Sequence, residues 1–345
     1  LFSGRMMGKS SILDRMHRLI ESDRSGGSNR RSIRISNAGV DLFRSLIDEL
    51  AELLPDEQST LRQKAKRLEV NSQMSPQKRR DISADRREMI VNSVRDFLRK
   101  EEAHLTILID EADKFAKHDA RRPIDESLAW ALRDLEFDHP ESLRVVFAGF
   151  QTIHEQIISE NGAFANWFGP EEVSSLDQDD ARKLIREPFA DFGYAFTSEA
   201  GLDRILEFTG RHPLLLQEFA NRLMKRMKTR RTGSIEDEVM TIEAGDVETV
   251  TQDDELRERV HQVLSLNLNE YRRLKLMVYL ILESCGGGGG ERHLKIDSFR
   301  LDDLKATLTQ WYGDKFNDYF DDRNIGALVS RLRALGLVEK RAEGY

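Results

Sequence analysis

Ser3-Gly4-Arg5-Met6-Met7-Gly8-Lys9-Ser10-Ser11, running on into Ile12-Leu13, is the stretch whose reading decides the fold. Small residues let the backbone curl so that its N–H groups face inward, and a helix that opens near Gly8 aims its positive end at the same anion. Lys9 adds a cation for the β- and γ-phosphates of a nucleotide, and the Ser10 hydroxyl suits Mg²⁺. The general phosphate-loop pattern asks for a glycine five positions before Gly8. Ser3 stands there, with Gly4 one residue later.

A second motif answers the first. Leu105-Thr106-Ile107-Leu108-Ile109 is a short apolar run ending in Asp110-Glu111. It reads as a buried parallel strand, with Asp110 at its carboxyl end placed to hold Mg²⁺ through water and Glu111 placed to activate an attacking water. The plainer alternative is a helix cap at Asp110 and a solvated Glu111.

The order of elements around these motifs argues for crossover connections. Ile12, Leu13, Met16, Leu19 and Ile20 have helical spacing, Ser32 to Ser36 alternates as a strand, and Val40 to Leu54 is helical again. Residues 55–104 form a polar insertion with Pro76 near its centre and helical spacing in Ile90, Val94, Phe97 and Leu98. Lys78-Arg79-Arg80 and Arg86-Arg87 raise a nucleic-acid arm, but the interspersed acids favour a solvated helical hairpin or partner surface. Ser127 to Leu135 reads as a helix and Leu143 to Gly149 as a further buried strand. Gln151 or Thr152 just beyond it suits the γ-phosphate, Thr152 equally as a helix cap. Glu172 to Leu176 reads as a last short strand, and Asp177 opens a helix that runs to Pro188. From Thr197 the pattern is helical throughout, broken at Thr209-Gly210-Arg211-His212-Pro213. Strand and helix alternate as in a parallel α/β sheet, followed by a helical domain.

Composition narrows the class. The 345 residues fit two or three domains, and 33% charged with 39% hydrophobic residues fit a soluble, helix-rich protein of net charge -8. That balance excludes a polyanion binder as a whole, though not a local basic patch. One cysteine, Cys285, rules out an intrachain disulfide and fits a reducing cytoplasm. The longest apolar run, Leu274 to Leu282, contains Lys275 and is too short to span a bilayer. Only Leu1-Phe2 precede the loop, so the first strand of a phosphate-loop domain is expected in a longer parent protein.

Four segments in order, "SGRMMGKSSIL", "LTILIDEAD", "SSLDQDDARKLIREPF" and "FTGRHPLLLQEFANRL", together resemble the prokaryotic STAND class of signal-transduction ATPases, relatives of AAA+ proteins. The resemblance is good over residues 1–230 and weaker beyond. It implies a phosphate-loop core over 1–176 holding the 55–104 insertion, a helical lid over 177–250 and a winged-helix-like domain over 251–345. It implies ATP or ADP with Mg²⁺ as cofactors, bound by Ser3, Gly4, Arg5, Met6, Met7, Gly8, Lys9, Ser10, Ser11 and Gln151, with the metal on Ser10 and Asp110. Lys9, Asp110 and Glu111 carry the implied catalysis. His212 and Pro213 occupy the family's lid motif, in which the histidine touches the β-phosphate of ADP; a helix-start histidine is the plain alternative. Arg182, Arg186 and Arg211 are further phosphate candidates that spacing does not separate.

What the resemblance implies for function is a slow ATPase switch: a closed ADP state, an ATP-driven homo-oligomer, and a fused sensor or effector outside this chain, as in bacterial defence or signalling. Two rivals stand beside it. One is an AAA+ loader similar to archaeal origin-recognition ATPases, gripping duplex DNA through its winged helix; the other is a nucleotide-binding scaffold that does not hydrolyse. Leu256 to Leu264, Tyr271 to Leu282, Leu301 to Trp311 and Ile325 to Leu335 read as helices. Gly286 to Gly290 reads as a flexible loop, and Gly336 to Lys340 as a hairpin strand. Residues 291–345 hold ten basic and ten acidic side chains. A DNA reader concentrates positive charge, so the winged helix is expected to face protein rather than DNA, with Arg331 and Arg333 keeping the DNA reading open.

Overall fold

The computed structural model describes residues 6–23, 29–36, 38–70, 73–119, 122–150, 164, 167, 169, 171–231, 239–268, 274–279, 281, 300–313, 322–334 and 338. The chain divides into two compact units, one of Leu1–Ser3 and Gly8–Val173, the other of Gly4–Met7 and Ser174–Tyr345.

In the first unit the elements run α1 (Lys9–Asp23), β1 (Arg30–Ile35), α2 (Ala38–Leu53), α3 (Gln58–Arg67), α4 (Pro76–Glu101), β2 (His104–Ile109), α5 (Asp113–Asp119), α6 (Leu128–Asp138) and β3 (Leu143–Phe147). The strands form one parallel sheet in the order β1-β2-β3. Ile33 stands opposite Ile107, and Ile107 opposite Val145. A register of this kind sorts side chains strictly by parity. Ile33, Ile35, Leu105, Ile107, Ile109, Leu143, Val145 and Phe147 point into one large core with α2, α4, α5 and α6. Leu108 and Val146 point the other way, where Leu13 of α1 meets them and Ala148. The sheet is thus covered on both faces, as its apolar strands require.

The insertion is helical, as its spacing indicates, but it is less solvated than its composition implies. Ile90, Val94, Phe97 and Leu98 of α4 join the main core, while Arg87 pairs outward with Asp134 at 3.4 Å and Arg95 with Asp138 at 2.8 Å. Pro76 begins α4 at a position where its missing N–H costs nothing, and Ser75 Oγ accepts from Lys78 N at 3.3 Å.

The second unit follows as α7 (Gln178–Asp191), β4 (Tyr194–Phe196), α8 (Glu199–Thr209), α9 (Pro213–Arg231), β5 (Met240–Ile242), α10 (Ala244–Thr251), α11 (Asp254–Leu268), α12 (Leu301–Tyr312) and α13 (Asp322–Ala334). Three expectations need correction. Glu172 makes an isolated bridge in place of a strand over 172–176; two adjacent glutamates and two adjacent serines give too little apolar surface to hold a sheet position. Helix α7 does not stop at Pro188 but carries it inside the last turn, where a single intrahelical bond is lost. The segment from Thr197 is not wholly helical, because β5 lies within it and pairs in parallel with β4, Tyr194 opposite Met240. Their seam is sealed by Phe189, which meets Tyr194 and Phe196 edge-on at 6.2 and 5.7 Å. The expected features at Gly286 to Gly290 and Cys285 lie outside the described residues, as does nearly all of Gly336 to Lys340. Among the described residues no helix is long and apolar enough to cross a membrane.

Candidate nucleotide site

The site is built at the start of α1 and at the carboxyl ends of β1 and β2. Met6 (φ 64°) and Gly8 (φ 91°) both adopt left-handed backbone, which turns the chain sharply into α1. Gly8 is the residue type that tolerates this without strain, and its carbonyl accepts the first helical bond from Ile12 N at 3.0 Å. Lys9 and Ser10 are therefore the opening residues of α1. No acid lies in its first turn to cancel the positive helix end. Ser3, Gly4, Arg5 and Gln151 lie outside the described residues, and Ser11 is exposed on α1.

Asp110 and Glu111 leave β2 in different environments. Asp110 is only 4% exposed; its N–H donates to Ile35 O at 2.8 Å, and its Oδ1 accepts from Glu111 N at 2.8 Å. Glu111 takes a left-handed φ of 48° and is exposed. A residue other than glycine in that region is uncommon and is held there by its neighbours. Here Ala112 N donates to Ala148 O at 3.0 Å, and Asp113 Oδ2 accepts from Phe150 N at 2.6 Å, which tie the chain after β2 to the chain after β3. The plain reading of Asp110 as a helix cap is not what the bonds show, since its carboxylate serves the turn of Glu111 and no helical N–H beyond it.

Two residues that sequence reasoning did not single out join the two motifs. Arg34 on β1 reaches Asp14 Oδ1 on α1 at 2.5 Å and Asp110 Oδ2 at 3.7 Å. Beside it, Ser32 N and Oγ donate to Glu21 Oε1 at 2.8 and 3.1 Å, and Ser32 Oγ lies 2.8 Å from His17 Nδ1. The face of α1 carrying Asp14, His17 and Glu21 thus meets β1 through polar contacts, while Leu13 and Met16 meet β2 and β3 through apolar ones. Alternation in Ser32-Ile33-Arg34-Ile35 was the one available signal, since it sets Ser32 and Arg34 on the face opposite the main core.

The remaining expected residues belong to the second unit. His212 ends the α8–α9 turn: its N–H donates to Thr209 O at 3.1 Å, its carbonyl accepts from Leu216 N at 2.9 Å, and Pro213 is the first residue of α9. Gly210 and Arg211 both have φ 57°, and Arg211 O accepts from Leu176 N at 3.2 Å. The helix-start grammar of His212-Pro213 is therefore real. Arg182 pairs with Asp203 and Arg186 with Glu199, so both are engaged within α7 and α8.

Mg²⁺ prefers one or two carboxylates plus substrate phosphates over a cage of protein ligands. A lone buried carboxylate at Asp110 and a hydroxyl at Ser10 fit that preference. Among the described residues no cluster of three His, Cys, Asp or Glu offers an all-protein metal site.

The sequence matches no protein-family model, and no curated protein is detectably similar to it. The fold is similar to that of the Aeropyrum pernix ORC2 protein in its ADPNP–ADP complexes, with a TM-score of 0.51 and 11% identity over 99% of this chain and 79% of that one. The ADP form of the same protein gives a TM-score of 0.44 at 12% identity over the same shares, too low to carry an argument. At such identities a likeness speaks for the fold and not for the chemistry. This chain has an α/β fold with a parallel sheet, and the fold is what it shares with that structure.

Proposed function

We propose that this chain binds ATP or ADP with Mg²⁺ and hydrolyses ATP, as the nucleotide module of an AAA+-type machine. The carrying observation is the joining of the two motifs: α1, opened by Lys9 and Ser10, is tied through Asp14 and Arg34 to buried Asp110 at the end of β2. Phosphoryl transfer asks a protein mainly for positioning and charge neutralisation. Lys9 supplies a cation at the helix N-terminus, and Ser10 and Asp110 would hold the metal. Bound there, Mg²⁺ would neutralise charge on the phosphates. Glu111, turned outward at the end of β2, orients and deprotonates the attacking water.

Of the finer readings, the likeness to ORC2 supports a loader of the origin-recognition type over a STAND switch. What speaks for a closed ADP state is His212 at its helix start, a position that a structural histidine fills equally well. The division of the second unit into a lid to residue 250 and a winged-helix-like domain beyond it belongs to this proposal. So do homo-oligomerisation and a fused partner region. Arg331 and Arg333 in the last turn of α13 are the basic residues a duplex would meet.

The test is ATP turnover and nucleotide binding by the parent chain and by Glu111→Gln. The expected result is binding by both and hydrolysis by the parent alone. Binding without turnover by the parent would leave the scaffold reading. Duplex affinity that falls steeply with salt supports the loader; growth in mass on exchanging ADP for ATP, without DNA binding, returns the argument to the switch.

A further inference from the structure

We propose that Arg34 is a shared counter-ion that Asp14 draws away from Asp110, so that Asp14 and Arg34 together set how strongly Asp110 attracts the metal. This rests on the nucleotide-binding reading above. One guanidinium lies between two carboxylates at unequal distances, 2.5 Å to Asp14 and 3.7 Å to Asp110. Side-chain exposure is 41% at Asp14, 21% at Arg34 and 6% at Asp110, so the buried carboxylate has the more distant cation. Arg34 Nε is buried and has no hydrogen-bond partner among the described residues, so the side chain is held by its two terminal nitrogens alone. Asp110 Oδ1 is already committed to Glu111 N, which leaves Oδ2, the oxygen facing Arg34, as the one to present to a cation.

The chemistry follows from Coulomb's law. A guanidinium drawn fully onto Oδ2 would offset the charge that a metal needs; one held at Asp14 leaves most of it available. Asp14 lies one helical turn beyond Ser10, so the helix that brings the hydroxyl also brings the group that holds Arg34 back. A partner beyond the ligands that tunes them in this way is common at metal sites.

The two substitutions make opposite predictions, which a purely mechanical tie between α1 and β1 would not. Asp14→Asn frees Arg34 to move onto Asp110 and raises the Mg²⁺ concentration needed for half-maximal binding of a fluorescent ADPNP analogue, by about three- to fivefold for a partly exposed pair. Arg34→Gln removes the competing cation and lowers that midpoint by a similar factor. In the double variant the Asp14→Asn effect disappears, leaving the Arg34→Gln value. Analogue binding in excess EDTA, expected within about twofold of the parent, reports an intact loop. Should Arg34→Gln fail to fold, Arg34→Lys replaces it: the charge and the opposition of Asp14 remain, so Asp14→Asn still raises the midpoint in that background. If both single substitutions move the midpoint the same way, or Asp14→Asn acts undiminished beside Arg34→Gln, this inference falls while nucleotide binding stands. Absence of analogue binding by the parent chain overturns both.

Discussion

Asp119 offers a test of the first unit that does not depend on nucleotide. It ends α5, is 3% exposed, and spans the break before α6: Oδ2 accepts from Ser127 Oγ at 2.5 Å and Ala129 N at 2.9 Å, and Oδ1 accepts from Leu128 N at 3.1 Å. Ser127 Oγ in turn accepts from Trp130 N at 3.1 Å, so two caps share the start of one helix. Asp119→Ala leaves the Ser127 hydroxyl free to rotate to another acceptor, but it strands two backbone N–H groups against buried Leu128 and Ala129. Each stranded group costs about 1–1.5 kcal/mol at the low end of the range, and the lost charge at the helix N-terminus about 0.5 kcal/mol more, giving about 3 kcal/mol. Asp119→Asn keeps one acceptor and turns an amide donor toward the other N–H, for about 2 kcal/mol. With a urea dependence of about 2 kcal/mol per molar, the alanine variant unfolds about 1.5 M earlier. Trp130 and Trp167 report this unit in a Trp311→Phe background, which isolates them from the one tryptophan of the second unit. A midpoint within about 0.25 M of the parent, or an asparagine variant worse than alanine, would refute the reasoning.

Gly8→Ala places a Cβ that meets no atom of the described residues within 4 Å, so the left-handed backbone sets its cost at about 1–2 kcal/mol, and nucleotide affinity should weaken about five- to thirtyfold in a fluorescent ADP titration; unchanged affinity would disqualify the loop. In the second unit, burial pushes the Asp246 carboxyl up, but the Glu243 N–H with Arg226 and Arg230 outweighs it and holds the acid below its usual range. Its folded pKa being depressed, this group contributes stability above the ordinary carboxylate pKa, and loses it as pH falls through the folded value. Asp246→Asn should therefore cost about 2 kcal/mol near pH 7 and less and less below pH ~4; a difference that grows on acidification would contradict this.

The parts of the fold that were legible are those with many residues repeating one signal. Leu105 to Ile109 reads as a buried strand because its parity is apolar on both sides, and α1, α2, α8 and α9 read as helices because three or more turns agree. What was not legible rests on single pairings between distant residues. β4 and β5 have three residues each, too few for alternation to show, and their partners lie beyond a whole helix pair. Asp119 caps a helix that starts nine residues ahead of it, past the Ile124–Glu126 turn, where no capping-box spacing reaches. For α4 the many charges suggested a solvated helical hairpin or partner surface, yet four residues at helical spacing were enough to place one face in the core.

Arg34 shows why a readable pattern still withheld the site. Period-two alternation separates the faces of β1, and the structure puts Ile33 and Ile35 in the main core and Ser32 and Arg34 on the other face. Alternation says nothing of what covers that face. Had the cover been water, Arg34 would be an ordinary solvated cation; because it is α1, the same arginine stands between the helix that begins with Lys9 and the carboxylate that ends β2. That helix sits over the sheet for separate reasons, the packing of Leu13 on Leu108 and Ala148 and the bonds from Ser32 to Glu21. Polar contacts on β1 beside apolar ones on β2 and β3 fix both its distance and its rotation, which neither kind would do alone. The turn into α1 is placed by Gly8, and the separation of the helix's first residues from Asp110 is set by that mixed interface. Substitutions along Asp14, His17 and Glu21 should accordingly alter nucleotide and metal binding more than their distance from any phosphate would imply.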